Sequence, residues 1–256
     1  MSEVVCTLDG AIGRITLNRP DRMNAINIAI ADKLKVAVRT YGNHPDVHAI
    51  VIRGAGGNFC AGGDFTEVER LRAAGPAALR ALFKTFHAAC QAITDVDVPV
   101  VVAVEGVAMA GGFELMQAAD IVLVSDNARI ADNHINFGMI PGGGSTVRLP
   151  RNVGRQVALA LMLSGERLSG ADAVARGLAY RSFPAADFED SVETFVRQLA
   201  ERDRGAATRI KRLVLDGLHR PIEEAVASET DAVVEWICGP AGSDGVTAFQ
   251  NREVAR

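Results

Sequence analysis

Three short apolar runs organise the first half of the chain: "HAIVIRG" (48–54), "PVVVAVEG" (99–106) and "DIVLVSD" (120–126). Each is rich in Val, Ile or Leu, lacks polar alternation, and is bounded by Gly, Pro or Asp. Runs of this kind predict strands covered on both faces, as in a sheet lying beneath helices. "AIGRITLNRP" (11–20) alternates more and ends at Pro20, so it is predicted nearer a sheet edge. Between the strands the apolar spacing lengthens to three and four. "NIAIADKLKVAVRTYG", which stops at Gly42, and "AALRALFKTFHAACQAI" (77–93) both predict amphipathic helices. Strands alternating with helices give an α/β fold.

After Pro150 the pattern turns helical. "GRQVALALMLSG", "SGADAVARGL", "FEDSVETFVRQLAERD", "ATRIKRLVLDGL" and "PIEEAVASETDAVVEWIC" all carry the longer period. Ser169 is placed as an N-cap and Gly177 as a stop. The division expected is a strand-rich core over residues 1–186 and a helical region over 187–256, whose apolar faces need a cover.

Composition narrows the possible functions. A chain of 256 residues that is 48% hydrophobic and 23% charged can build its own core. Its net charge of −4, its pI of about 5.8 and the lack of any basic run argue against a nucleic-acid partner. No apolar stretch reaches the roughly 18–20 residues of a membrane span. The start, "MSEVVCTLDG", lacks the basic and apolar segments of a secretory leader. Cys6, Cys60, Cys90 and Cys238 are scattered without paired spacing, so reduced thiols, no metal site and a cytoplasmic location are expected.

One apolar stretch carries an anomaly. Between Val104 and Leu123 the only charged residues are Glu105, Glu114 and Asp120, and Glu114 follows the pair Gly111–Gly112. Two Gly-rich turns, "GGNFCAGGDF" (56–65) and "MAGGFELM" (109–116), each follow a predicted strand. On one side of a sheet, such turns can aim two backbone N–H groups at a single oxygen, as in an oxyanion hole. Glu114 then has two readings: a carboxylate stabilising its own helix N-terminus, or a general base beside the polarised oxygen. His134 precedes a third Gly-rich turn, "GMIPGGG", with Asp132 two residues before it. In an extended segment these two would share a side, and the carboxylate would orient the imidazole and favour its charged form; a structural histidine is the other reading. His44, His48, His87 and His219 have no second catalytic type beside them in sequence and are read as structural or surface. Cys60 is read as a packing residue.

The motifs "ITLNRPDRMNAI", "NFCAGGDF", "GVAMAGGFELMQAADIVLVSD", "GMIPGGGSTVRLPRNVGRQVALALMLSGERLSGADAVARGLA" and "DGVTAFQNR", in that order, resemble the crotonase superfamily of enoyl-CoA hydratases and isomerases. The resemblance runs from about residue 11 to 252. It implies a spiral of repeated ββα units followed by a helical C-terminal region that packs on neighbouring subunits in a homotrimer or hexamer. It implies an acyl-CoA substrate, with coenzyme A entering as part of that substrate and no separate cofactor. The thioester oxygen would be held by the N–H groups of Ala61 and Gly111, with Gly62, Gly63, Asp64, Met23 and Arg252 contacting the rest of the substrate. Glu114 matches the first of two hydratase glutamates. His134 stands where the second is expected, and Arg252 where many members have Lys. Hydration of a 2-enoyl-CoA is the leading expectation. Double-bond isomerisation, C–C hydrolysis of a cyclic or β-keto substrate, and a non-catalytic binding role are the alternatives.

Overall fold

The longest apolar runs become neighbours in one sheet. Its strands are β1 (Val4–Asp9), β2 (Ile12–Leu17), β3 (Ala49–Gly54) and β4 (Val100–Val104), then β6 (Ile121–Ser125) and β8 (Arg181–Phe183), in the spatial order β1-β2-β3-β4-β6-β8. A separate pair, β5 (Val107–Met109) and β7 (Arg129–Ala131), is parallel. Only β1 runs antiparallel in the main sheet; Ile15 pairs with Ile52, Ile50 with Val100 and Val101 with Ile121 in parallel register. The segment expected near an edge, β2, lies one strand in, and the largely exposed β1 takes the edge. This computed structural model describes residues 2–240 together with 242, 245 and 247.

The helices are α1 (Ile28–Gly42), α2 (Phe65–Ala73), α3 (Pro76–Asp95), α4 (Gly111–Met116), α5 (Ser145–Val153), α6 (Arg155–Ser164), α7 (Gly170–Ala175), α8 (Phe188–Ala200), α9 (Arg204–Gly217) and α10 (Ile222–Cys238); all but α2 and α5 lie where the sequence pattern predicts helix. Asn27 caps α1 by accepting from Ile30 N, and Ser169 caps α7 in a reciprocal capping box with Asp172. Gly177, at φ 75°, follows the end of α7 in the left-handed region.

The uninterrupted apolar runs are explained by the two covered faces. Ile50, Ile52, Val100, Val102, Val122 and Val124 share a core with Ile30, Leu34 and Val38 of α1 and with Phe86, Ala89 and Ile93 of α3. The alternate residues Val51, Val101, Ala103 and Leu123 pack with Phe188, Val192, Val196 and Ala200 of α8. Those four α8 residues recur every fourth position, so they form one stripe along the helix. The strip they cover explains where the chain divides. Its two compact units are Met1–Asp203 and Arg204–Arg256, so the boundary falls after α8 rather than after residue 186.

In the second unit α9 and α10 pack on each other, and the Arg209 guanidinium lies 4.7 Å from the centre of the Trp236 ring. Ile210, Val214, Leu218, Ile222 and Val226 of this unit are exposed.

Candidate active site

The two Gly-rich turns meet because each is stitched to β5. Phe59 N and Cys60 N donate to Glu105 O and Val107 O at 2.9 Å, and Met109 N donates to Cys60 O at 3.0 Å. On the other side of the first turn, Ile26 N donates to Gly62 O at 2.7 Å and Asp64 N to Ile26 O at 2.8 Å. Successive peptide groups in an extended segment point opposite ways. With Gly62 O and Asp64 N facing Ile26, the Gly63 N–H faces away, towards the second turn. Gly62 has φ 109°, and a Cβ there would sit 2.9 Å from the Ala110 Cβ and 3.3 Å from Gly111 N. At Gly112 a Cβ would collide with the Cys60 carbonyl, so glycine is required for this approach. Ala110 takes φ 47°, ψ −116° immediately before α4, a conformation that costs a non-glycine residue free energy and clusters at functional sites. Gly63 N–H and Gly111 N–H have no acceptor among the described residues.

Both glycines line a cavity of about 130 Å³. Its apolar wall is built from Ile26, Phe65, Val68, Leu82, Phe83, Phe86, Met139 and Ile140, and its polar side chains are Glu114 and His134. Glu114 is 2% exposed. Its Oε1 accepts from Gly143 N at 2.6 Å and Ser145 N at 3.2 Å, donors of the segment leading into α5 rather than of its own helix. The carboxylate therefore does not cap α4, the helix that carries it. Burial pushes its pKa above the ordinary value. The Ser145 and Gly143 N–H groups and the charge of His134 pull the other way without cancelling the rise.

His134 and Asp132 do meet, but not through an extended strand. β7 ends at Ala131, Asn133 turns at φ −99°, ψ 14°, and His134 opens a 3-10 turn reaching Phe137. This bend brings His134 Nδ1 to 2.6 Å from Asp132 Oδ1. Asp132 is 1% exposed, and its Oδ2 has no hydrogen-bond partner among the described residues. Burial opposes the imidazolium, yet the hydrogen bond and charge of Asp132, with Glu114, outweigh it and raise the His134 pKa. With Nδ1 turned to Asp132, Nε2 is left for the cavity.

Ala61 is a correction. Its N–H, expected to hold the substrate oxygen, donates to Met23 O at 2.9 Å, and Ala61 does not line the cavity. The free donor of that turn is Gly63, two residues later. Asp64, Gly62 and Met23 also lie off the cavity wall. Asp64 caps α2 by accepting from Thr66 N and Glu67 N, and its other oxygen binds Arg19 at 2.7 Å. Met23 is 46% exposed and left-handed at φ 45°. Arg252 lies outside the described residues. Burial pushes the Cys60 thiol up to about 12, which suits the packing role expected of it. Sequence reading passed over His87, whose Nε2 lies 2.7 Å from Gly142 O. It also gave no role to the cavity-wall residues Phe83 and Phe86. Their three-residue spacing on a predicted helix marks a shared face but does not say what faces it.

Among the described residues no helix is long and apolar enough to cross a membrane, and no cluster of His, Cys, Asp or Glu has the geometry of a metal site. Residues 7–255 match the family model described as enoyl-CoA hydratase/isomerase. The chain is 30% identical over 247 residues to the mitochondrial enoyl-CoA hydratase of Pongo abelii, covering 96% of this chain and 83% of that protein. The crystal structure of an enoyl-CoA hydratase from Polaromonas sp. JS666 superposes at a TM-score of 0.93 with 28% identity, covering 97% of each chain. That of the Mycobacterium smegmatis enoyl-CoA hydratase gives 0.91 with 29% identity over 98% of this chain and 97% of the other. A match over nearly the whole sequence and the whole fold, around a cavity lined by Glu114, Gly63 and Gly111, places this α/β chain in the enoyl-CoA hydratase/isomerase family, with the crotonase fold.

Proposed function

We propose that the protein is an enoyl-CoA hydratase, adding water reversibly across the double bond of a 2-enoyl-CoA. The observation that carries this reading is the convergence on one apolar cavity of two unpaired backbone N–H groups and two proton-handling side chains, Glu114 and His134. The thioester oxygen binds the N–H groups of Gly63 and Gly111, which stabilise the negative charge it gains as an enolate. Glu114 Oε1 is occupied by backbone donors, so Oε2 takes the proton of the attacking water as the water oxygen bonds to Cβ. His134, whose protonated form Asp132 favours, gives its Nε2 proton to Cα. Return of the proton from Glu114 to His134 closes the cycle, so one water is consumed and neither side chain is altered.

The Asp132–His134 pair also supports a second reading, hydrolytic C–C cleavage of a β-keto or cyclic acyl-CoA, in which neutral His134 would act as a base on water. The raised pKa of His134 favours the donor role, and so favours hydration. Coenzyme A enters as part of the substrate, and no further cofactor takes part. The exposed apolar residues of α9 and α10 support packing of the second unit on other copies of the chain, in a trimer or a dimer of trimers. The unpaired cysteines support a cytoplasmic location. Mass spectrometry of a panel of 2-enoyl-, 3-enoyl-, β-keto- and cyclic acyl-CoAs after incubation tests the reading. A gain of one water by 2-enoyl thioesters is expected, and chain cleavage or bond migration without that gain would replace it.

A further inference from the structure

One peptide group, that joining Gly142 to Gly143, is held at both of its polar ends. Its carbonyl lies 2.7 Å from His87 Nε2 and its N–H 2.6 Å from Glu114 Oε1. A carbonyl can only accept, so His87 Nε2 carries the hydrogen. The next carbonyl, Gly143 O, accepts from Arg148 at 2.9 Å. The rings of Phe83 and Phe86 occupy the places where Cβ atoms on Gly142 and Gly143 would project, so this backbone lies directly against α3, the helix that carries His87. A peptide flanked by two glycines resists rotation weakly. Without an anchor on its carbonyl, its N–H is free to turn away from the carboxylate.

We propose that His87 is a positioning residue for Glu114, acting through the Gly142–Gly143 peptide. Its Nε2–H fixes the carbonyl, which points the amide N–H at Oε1. Hydrogen bonds linked through one amide polarise each other, so the donor facing Glu114 is also strengthened. Oε1 is thereby committed to the backbone and Oε2 is left to the cavity. The other titratable groups acting on Glu114 are His134 and Asp132 from the turn after β7 and Cys90 from α3. This inference rests on the proposed function for the role of Glu114, but the relay can be read without turnover.

The test is a carboxyl-carbon NMR titration of Glu114, assigned with Glu114→Gln, in wild type, His87→Ala and His87→Gln. His87 is exposed, so neither substitution removes core. His87→Ala should move the Glu114 midpoint upward, because a donor to the charged form is lost. His87→Gln, whose amide can donate to the same carbonyl, should return it. With crotonyl-CoA, kcat should fall roughly five- to tenfold in His87→Ala at nearly constant KM and recover in His87→Gln. An unmoved midpoint in His87→Ala, an equal shift in His87→Gln, or a shifted midpoint with wild-type kcat overturns the assignment. A midpoint that moves and recovers in a protein that hydrates no enoyl thioester upholds the relay and sinks the proposed function instead.

Discussion

Glu114 is held by backbone and His134 by a side chain, and the two arms of the site behave differently for that reason. Glu114 rises from α4 between strands and receives N–H groups from Gly143 and Ser145, so its place is fixed by the fold itself. His134 sits in a short 3-10 turn and depends on one carboxylate, Asp132. Both pKa values are raised, by opposite routes. Burial lifts Glu114 by disfavouring its charge; for His134 burial works downward, and Asp132 overcomes it. An arm made of backbone answers to substitution only indirectly, through what holds the peptide, as His87 holds Gly142 O, whereas an arm made of side chains is tuned directly.

Substitutions can separate the arms. The largest effect is expected from Glu114→Gln, which keeps an oxygen for the two N–H donors but cannot take a proton. Hydration of crotonyl-CoA should drop by about 10³–10⁴, near the upper limit for a positioned base, while the melting temperature stays close to wild type. Gly111→Pro deletes one donor to the thioester oxygen at the first position of α4. Turnover should fall by about 10²–10³, and a wild-type rate would remove Gly111 from the mechanism. His134→Ala should cost roughly a hundredfold and change the pH profile. Because the raised pKa keeps the imidazolium present to higher pH, activity should fall as pH rises through that value; Glu114 gives the opposing limb, activity rising as its carboxyl ionises. The variant should keep the Glu114 limb alone. An unchanged profile would return His134 to a structural role. The smallest change, Asp132→Asn, should cost roughly tenfold and move the alkaline limb to lower pH without abolishing it.

The same pair makes a stability prediction. A group whose folded pKa is raised contributes stability that is complete below its unfolded pKa, about 6.5 for His, and lost as pH rises through the folded value. Unfolding free energy measured by denaturant titration should therefore decline as pH rises above about 6.5 in wild type more steeply than in His134→Gln. Parallel curves would mean that Asp132 does not hold the proton on His134.

Legibility in the sequence followed the same division. Strand and helix periods identified β2, β3, β4, β6, α1, α3 and every helix from α6 to α10, because each carries regularly spaced apolar residues, whether buried as in α8 or exposed as in α9 and α10. The three-residue strands β5, β7 and β8 are too short for any period, and β5 is what joins the first Gly-rich turn to the second. Glu114 stood out because a carboxylate in an apolar run is costly to leave unpartnered. Its partners, Gly143 and Ser145, lie 29 and 31 residues away, and the third Gly-rich turn that holds Gly143 gives no sign of which side chain its N–H groups face. Ala61 was misplaced as a donor because which N–H of a glycine turn is free depends on its pairing partners, here Met23 and Ile26, which local sequence does not encode. His87 was passed over because an exposed histidine on a helix looks the same whether or not a carbonyl approaches it.

The placement of α8 bears on how the chain is made. The sheet strip of Ile12, Ala49, Val51, Val101, Ala103 and Leu123 is packed under residues 188–200. Synthesis runs from the N-terminus at about 5–20 residues per second, so roughly 10–40 s separate the appearance of Ile12 from that of Ala200. During that interval the nascent sheet has one lidded and one bare surface. Chaperone occupancy on the ribosome should therefore persist until α8 has emerged from the exit tunnel, and then fall sharply.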